Sequence, residues 1–132
     1  MKILYYDNIE ARLKVPIITT DLEHDGDYFY DIETQHIIEI ICTRDLEKAK
    51  AILKNKECDL VGINLEMLRA FEFAELVREQ LNYFMAFTFH NPDEYRRVLG
   101  WYPIVQDVYR RSLDSINNIE LLINKAKSMI ER

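Results

Sequence analysis

The feature that most constrains the fold is a series of short, almost entirely apolar runs spaced along the chain. They cover residues 2–6, 37–42, 59–63 and 83–88, and a weaker run covers residues 101–108. Runs of this length are too short for a buried helix, and their Ile, Val and aromatic side chains favour β-strands. Strands that are apolar on both faces are typical of parallel sheets covered by helices.

Amphipathic stretches separate these runs. Thr43 is a predicted N-cap, and Asn91 followed by proline marks a second helix start. Apolar side chains follow helical spacing over residues 43–53, 68–77, 91–100 and 113–131. Alternation of buried strands with such helices predicts an α/β domain. We therefore expect a flavodoxin-like, doubly wound, five-stranded parallel sheet with helices on both faces, in one domain spanning residues 1–132.

Residues 9–36 do not fit this pattern, because they separate the first two predicted strands by more residues than a crossover helix needs. Pro16 and the β-branched run after it disfavour a continuous helix through the segment. Two conformations remain open: a helix that begins after Pro16 and runs to about His24, or an extended strand. Since an aromatic run at residues 28–32 follows a glycine turn, the extended conformation would give a hairpin within residues 15–34.

Composition and charge exclude several classes of protein. The chain has 132 residues, of which 48% are hydrophobic and 30% charged, and these values are ordinary for a globular domain. Its net charge of −6 disfavours binding to nucleic-acid phosphates. No apolar run approaches the roughly 18 residues that span a bilayer, and the first strand pattern begins without a signal-peptide layout. We therefore expect a cytoplasmic protein without membrane or nucleic-acid partners, whose two cysteines are buried thiols.

Polar side chains follow the ends of the predicted strands. Asp7 and Asn8 follow the first strand, Asn64 ends the third and Thr88 ends the fourth. Because the carboxyl ends of parallel strands meet at one edge of a sheet, where ligands bind in such folds, we expect these side chains to lie close together. Asn64 has the shape of an aspartate without its charge, so the chemistry of this edge depends on it.

These strands and their polar ends resemble the receiver domain of bacterial response regulators. Residues 2–8 are similar to its first strand with a terminal acidic pair, and residues 59–64 to its third strand, which ends in the phosphate-accepting Asp. Residues 84–88 are similar to the fourth strand with its switch Thr or Ser, and residues 100–107 to the fifth strand, which carries a Lys. The likeness extends over the chain except for the segment between the first two strands.

The departures from the receiver pattern fall on the residues that carry its chemistry. The resemblance implies an acyl phosphate on Asp, a Mg²⁺ held by acidic side chains and a Lys that neutralises the phosphoryl oxygens. Asn64 stands at the acceptor position, and an amide is not a competent nucleophile toward a phosphoryl donor. The acidic pair is reduced to one carboxylate, which weakens a Mg²⁺ site. We therefore expect a relic pocket without metal or cofactor, formed by Asp7, Asn8, Asn64, Thr88 and Asp107.

Two further residues affect this pocket. Asp107 aligns with the lysine position and reverses its charge, although a shift in register would bring Arg110 there instead. Phe89 follows Thr88 where the resemblance implies a small residue, and its ring could partly close the pocket. Both features argue against phosphorylation at the usual position.

The leading hypothesis is a non-catalytic pseudo-receiver that acts as a regulatory module by binding another protein, such as a signalling or output protein. The resemblance implies an interaction face made of the fourth helix, fifth strand and fifth helix of a receiver. Tyr and Arg side chains, which are enriched at interfaces, occur there. The expected surface comprises Glu94, Tyr95, Arg97, Tyr102, Tyr109 and Arg110.

Two alternatives stay open. The first is a homo-oligomeric assembly module, in which the aromatic segment within residues 15–36 mediates dimerisation. The second is a metal-dependent phosphoryl-transfer protein that uses Asp7 together with Glu66 or Asp107. The sequence has no glycine-rich phosphate loop to support the second alternative.

Overall fold

The computed structural model describes residues 1–7, 17–21, 26–31, 36–81, 84–89, 91, 107–110 and 115–130. The strands are β1 (Lys2–Tyr6), β2 (Ile17–Asp21), β3 (Gly26–Asp31), β4 (His36–Thr43), β5 (Leu60–Asn64), β6 (Met85–Thr88) and β7 (Asp107–Arg110). The helices are α1 (Leu46–Lys54), α2 (Ala70–Leu81) and α3 (Ser115–Ile130). The predicted helix after Asn91 and the predicted strand residues 101–106 lie outside the described residues.

The described strands form one sheet in the order β2-β3-β4-β1-β5-β6-β7. β1 lies between β4 and β5 and pairs in parallel with both, and β6 pairs in parallel with β5 and with β7. The α/β class and the parallel pairing predicted from the apolar runs are therefore confirmed. The sheet is larger than the five strands predicted, because two antiparallel strands extend it beyond β4.

The two added strands come from the segment whose conformation the sequence left open. β2 and β3 pair antiparallel, with Asp21 opposite Gly26, and β3 pairs antiparallel with β4 along its whole length. A helix through residues 17–21 is therefore wrong, and the extended alternative is correct. The physical reason is local, since Ile and Thr are β-branched and lose side-chain freedom in a helix, whereas they suit a pleated strand.

Alternate side chains of the central strands enter two separate cores, one on each face of the sheet. In β1, Leu4 and Tyr6 belong to the core beneath α1 and α2, which also contains Phe73 and Val77 of α2. Ile3 and Tyr5 of the same strand belong to the opposite core. That second core is covered by α3, whose buried apolar side chains are Ile119, Leu122 and Ala126.

The start of α1 differs in detail from the prediction. Asp45, rather than Thr43, is the N-cap, and its side chain accepts hydrogen bonds from the backbone N–H groups of Glu47 (3.0 Å) and Lys48 (3.4 Å). Thr43 belongs to β4 and its hydroxyl oxygen accepts a hydrogen bond from the Asp45 N–H at 3.1 Å. The Thr43 hydroxyl therefore holds the backbone of Asp45, and Asp45 in turn caps the helix.

The two cysteines are free, and they differ in burial. Cys58 is buried just before β5, and burial raises the pKa of its thiol to about 11. The thiolate is the reactive form of cysteine, so the Cys58 thiol is unreactive at neutral pH. Cys42 is only partly buried, which differs from the expectation for that residue. Within the described residues, no helix has the length and apolar character that crossing a membrane requires.

Gly62 allows α3 to approach the sheet closely. A Cβ atom at this position of β5 would lie 2.9 Å from both Cδ atoms of Leu122 and 3.1 Å from Cδ1 of Tyr5. Both neighbours are fully buried, at 0% exposure, so neither side chain has open space into which it can turn. A side chain larger than hydrogen would therefore push the helix away from the sheet or displace two core residues.

We expect Gly62→Ala to lower the free energy of unfolding by about 1–3 kcal/mol through overpacking. Leu122→Ala should by itself cost about 2–5 kcal/mol, because it leaves a cavity. The double variant should be less destabilised than the sum of the two single variants, since Leu122→Ala removes the Cδ atoms that the added methyl group at position 62 would meet, and that methyl group fills part of the cavity. Urea denaturation of all four proteins measures this coupling, and strict additivity would contradict the proposed clash.

Candidate functional site

The candidate site lies where β1, β5 and β6 end at the same edge of the sheet. Asp7 follows β1, Asn64 is the last residue of β5 and Thr88 is the last residue of β6. All three are buried, at 1%, 5% and 0% exposure. The chain passes from β1 to β4 on one side and later returns to β5 on the other, so Asp7 and Asn64 lie where the strand order reverses. Such a switch point is where open α/β sheets bind ligands.

Asn64 connects two strand ends through both ends of its amide group. Its Nδ2 donates a hydrogen bond to Oδ1 of Asp7 at 2.8 Å, and its Oδ1 accepts one from the backbone N–H of Glu66 at 3.0 Å. The backbone N–H of Glu66 can only donate a hydrogen bond, so the amide oxygen must face Glu66 and the amide nitrogen is the group that faces Asp7. The backbone N–H of Asp7 in turn donates to the Thr43 carbonyl at 3.1 Å, which links the site to β4.

Glu66 forms the other half of the site. Its Oε1 accepts a hydrogen bond from the Thr88 hydroxyl at 2.6 Å and another from the Phe89 backbone N–H at 3.0 Å. The shorter distance is typical of a charge-assisted bond between a hydroxyl and a carboxylate. Glu66 is not among the residues predicted for the relic pocket. The available signal was a glutamate two residues after a strand-end Asn, a spacing at which the Asn side chain can fix the loop.

The loop between β5 and α2 is held from three directions. The Leu65 N–H donates to the Phe87 carbonyl at 2.8 Å, and the Met67 N–H donates to the Asn64 carbonyl at 3.1 Å. The Tyr6 hydroxyl donates to the Leu68 carbonyl at 3.0 Å. Burial, helped by the nearby Asp45 carboxylate, raises the pKa of Tyr6, so this hydroxyl keeps its proton at neutral pH. The loop therefore has one defined conformation in which Glu66 meets Thr88.

The pairing of β7 places Arg110, and not Asp107, beside the end of β6. Asp107 pairs with Met85 and Arg110 pairs with Thr88. Asp107 therefore lies at the start of β7, three positions before the edge at which the predicted pocket residues Asp7, Asn64 and Thr88 lie. The correspondence of either residue with the lysine of receivers stays a prediction.

The remaining predicted residues are distributed as follows. Asn8 and the expected surface residues Glu94, Tyr95, Arg97 and Tyr102 lie outside the described residues. Tyr109 is half-buried and packs against the core beneath α3, with its ring stacked on Phe87 at a centroid distance of 5.9 Å. The Phe89 side chain is 41% exposed, and it is the backbone N–H of this residue that contacts Glu66.

The described part of the chain contains no group of three or more His, Cys, Asp or Glu residues arranged to hold a metal ion. Asp7 shares one oxygen with the Asn64 amide, and Glu66 directs Oε1 toward Thr88 and Phe89. The two carboxylates are thus joined through Asn64, without a common ligand position that these contacts define. The geometry can transmit a change at one strand end to the next, because the hydrogen bonds form a chain.

Comparisons with known proteins identify no relative: no family model, no curated protein and no solved structure matches this chain. The resemblance to receiver domains therefore remains a prediction from the residue pattern. Evidence for the function therefore comes from the contacts at the strand ends.

We expect Asn64→Asp to lower the free energy of unfolding by about 1–3 kcal/mol at neutral pH. The change removes the donor to Asp7 and places a second carboxylate within hydrogen-bonding distance of it. A proton shared by the two carboxyl groups would relieve the repulsion. The loss of stability should therefore be largest where both carboxyl groups are ionised, and it should shrink as the pH falls and the proton binds.

Urea denaturation at several pH values measures this effect. Asn124→Asp is the matched control, because Asn124 is exposed on α3 and the chemical change is identical. Equal stability of the two variants across the pH range would contradict the assigned hydrogen bond between Asn64 and Asp7.

Proposed function

We propose that this protein is a non-catalytic pseudo-receiver, a regulatory module that acts by binding another protein and is not phosphorylated at the usual acceptor position. The observation that carries this proposal is the hydrogen bonding of Asn64. Its amide nitrogen and oxygen each have a partner within the site, at 2.8 Å and 3.0 Å. A residue in the acceptor position thus acts as a structural link between strand ends.

The order of the strands supports the fold on which this proposal depends. When the antiparallel pair β2 and β3 is set aside, the sheet order β4-β1-β5-β6-β7 reads second, first, third, fourth, fifth along the chain. This is the order of flavodoxin-like, doubly wound sheets. Cores with helices on both faces of β1 agree with it. We therefore include the flavodoxin-like doubly wound layout in the proposal.

The chemistry of the strand ends supports the absence of phosphoryl transfer. An acyl phosphate requires a carboxylate oxygen as the nucleophile, and the nitrogen of an amide is not basic enough to replace it. Asn64 also uses the lone pair of its oxygen that faces Glu66. The anion position next to Thr88 is occupied by Glu66. Both the nucleophile and the space beside the switch residue therefore differ from those of a working receiver.

Binding to another protein would then occur on an outer surface instead of at the strand ends. The resemblance directs attention to the face around β7, which includes Tyr109, Arg110 and the expected residues outside the described ranges. In the structure, the ring of Tyr109 contributes to the core. A partner could therefore reach only the exposed part of the Tyr109 side chain.

Incubation with acetyl phosphate and Mg²⁺, followed by intact-protein mass spectrometry, tests this proposal. We expect no phosphoryl adduct on the wild-type protein, because Asn64 lacks a nucleophilic oxygen anion. Asn64→Asp is the informative comparison, since it restores the acceptor on an otherwise unchanged edge. A stable gain of one phosphoryl group on the wild-type protein, lost in Asp7→Ala, would overturn the proposal.

A second candidate function is homo-oligomeric assembly through the antiparallel pair, and one observation favours it. β2 is the last strand in the sheet order, and among the described strands it pairs with β3 alone. A terminal strand offers unpaired backbone donors and acceptors along its outer side, which a second copy can pair with. The irregular register between Ile17 and Thr19 limits this edge to a short stretch.

Replacement of residues 17–34 by a short Gly-Ser linker tests the assembly candidate. If β2 mediates dimerisation, the shortened protein should sediment as a monomer under conditions in which the full chain sediments as a dimer. Circular dichroism verifies that the parallel part of the sheet remains folded. Retention of both the fold and the dimer in the shortened protein would eliminate this candidate.

A further inference from the structure

Two hydrogen-bond donors lie together at the end of β6. The Thr88 hydroxyl, which is buried at 0% exposure, and the Phe89 backbone N–H point at a single oxygen atom. That atom is Oε1 of Glu66, at 2.6 Å from the hydroxyl and 3.0 Å from the nitrogen. Two converging donors, one of them a backbone N–H at a strand end, form the kind of concavity that binds anions.

The strand that carries these donors is held on both sides, because β6 pairs in parallel with β5 and with β7. The pocket is thus suited to a small oxyanion, and the chain itself supplies one.

The carboxylate is delivered to the pocket by a loop whose shape the site fixes. The Glu66 N–H donates to Oδ1 of Asn64 at 3.0 Å, and the Leu68 carbonyl accepts from Tyr6 at 3.0 Å. Glu66 is exposed as a residue, so its side chain can leave the pocket without unpacking the core. Occupied and vacated positions of the carboxylate are both compatible with the folded sheet.

We propose that Glu66 is a resident anion that occupies an oxyanion-binding pocket formed by the Thr88 hydroxyl and the Phe89 N–H. A soluble oxyanion competes with the Glu66 carboxylate for the same two donors. Binding of an external anion therefore requires the Glu66 side chain to turn outward from the β5–α2 loop. The proposal goes beyond the pseudo-receiver function and does not depend on it, because it rests on these contacts alone.

Competition by the Glu66 carboxylate lowers the apparent affinity of the pocket for an external anion. If the carboxylate occupies the pocket for about nine-tenths of the time, the apparent affinity for an external anion falls about tenfold. Glu66→Ala removes the competitor and leaves both donors in place. Glu66→Gln keeps an oxygen acceptor without the negative charge, so its occupancy of the pocket is weaker than that of the carboxylate.

Titration with inorganic phosphate at constant ionic strength, followed by the amide resonance of Phe89 in ¹⁵N-correlated NMR spectra, tests the proposal. We expect Glu66→Ala to bind phosphate at least about tenfold more tightly than the wild-type protein. Glu66→Gln should lie between the two. The Phe89 amide should also exchange with solvent faster in Glu66→Ala, because it has lost an acceptor. Glu79→Ala is the control for charge, since Glu79 is exposed on α2.

Three results would contradict the proposal. Equal phosphate affinity of the wild-type protein and Glu66→Ala would mean that Glu66 does not compete. A failure of phosphate to shift Phe89 in both Glu66 variants would mean that the donors do not form an oxyanion pocket. An equal gain in Glu79→Ala would reduce the effect to net charge. Should Glu66→Ala not fold, the wild-type protein is compared with Glu66→Gln, and equal phosphate affinity of these two proteins would contradict the proposal.

Discussion

The hydrogen bond from Asn64 to Asp7 is the interaction on which the carboxyl edge of this sheet depends. It joins the ends of β1 and β5 at 2.8 Å between buried side chains. Burial removes competing water, so loss of either partner would leave a polar group with the cost of its desolvation, about 1–3 kcal/mol. The second bond of the same amide fixes the backbone of Glu66. One side chain thus joins two strand ends and fixes the start of the following loop.

The sheet makes this arrangement available because its central strands are buried on both faces. β1 contributes alternate side chains to two cores, so it cannot shift by one residue without exchanging their contents. β5 is held in the same register by Gly62, where α3 comes within contact distance of the strand. The positions of Asp7 and Asn64 are therefore set by apolar packing along the strands, and the polar contacts operate on strand ends that are already aligned.

The sequence predicted the parts of this structure that depend on local pattern. The apolar runs that became β1, β4, β5 and β6 were identified because each is short, β-branched or aromatic, and followed by a polar residue. The convergence of Asp7, Asn64 and Thr88 followed from the geometry of parallel strands. The α1 cap was misplaced by two residues because Thr43 and Asp45 are both good caps, and only the end of β4 distinguishes them.

Other features could not be predicted because they depend on pairing over long distances. The register of β7 against β6 determines whether Asp107 or Arg110 reaches the edge, and nothing local in either strand specifies it. The extension of the sheet by β2 and β3 could be predicted only by deciding whether the residues after Pro16 form a helix or a strand. The contact of Glu66 with Thr88 depends on a loop conformation that Tyr6, Asn64 and Phe87 fix together. Tyr6 and Asn64 are distant from Thr88 in sequence, and only Phe87 is adjacent to it.

The identities of residues 64 and 66 are therefore physically linked. With Asn64, the neutral amide separates the carboxylates of Asp7 and Glu66 and donates to one while its oxygen fixes the backbone of the other. An aspartate at 64 would create three consecutive carboxylates along the edge, and repulsion would favour an outward position of Glu66. An acidic residue at 64 thus favours an open anion pocket, whereas Asn64 favours a pocket closed by Glu66. The neutral side chain at position 64 and the contact of Glu66 with Thr88 are therefore compatible with each other for the same electrostatic reason.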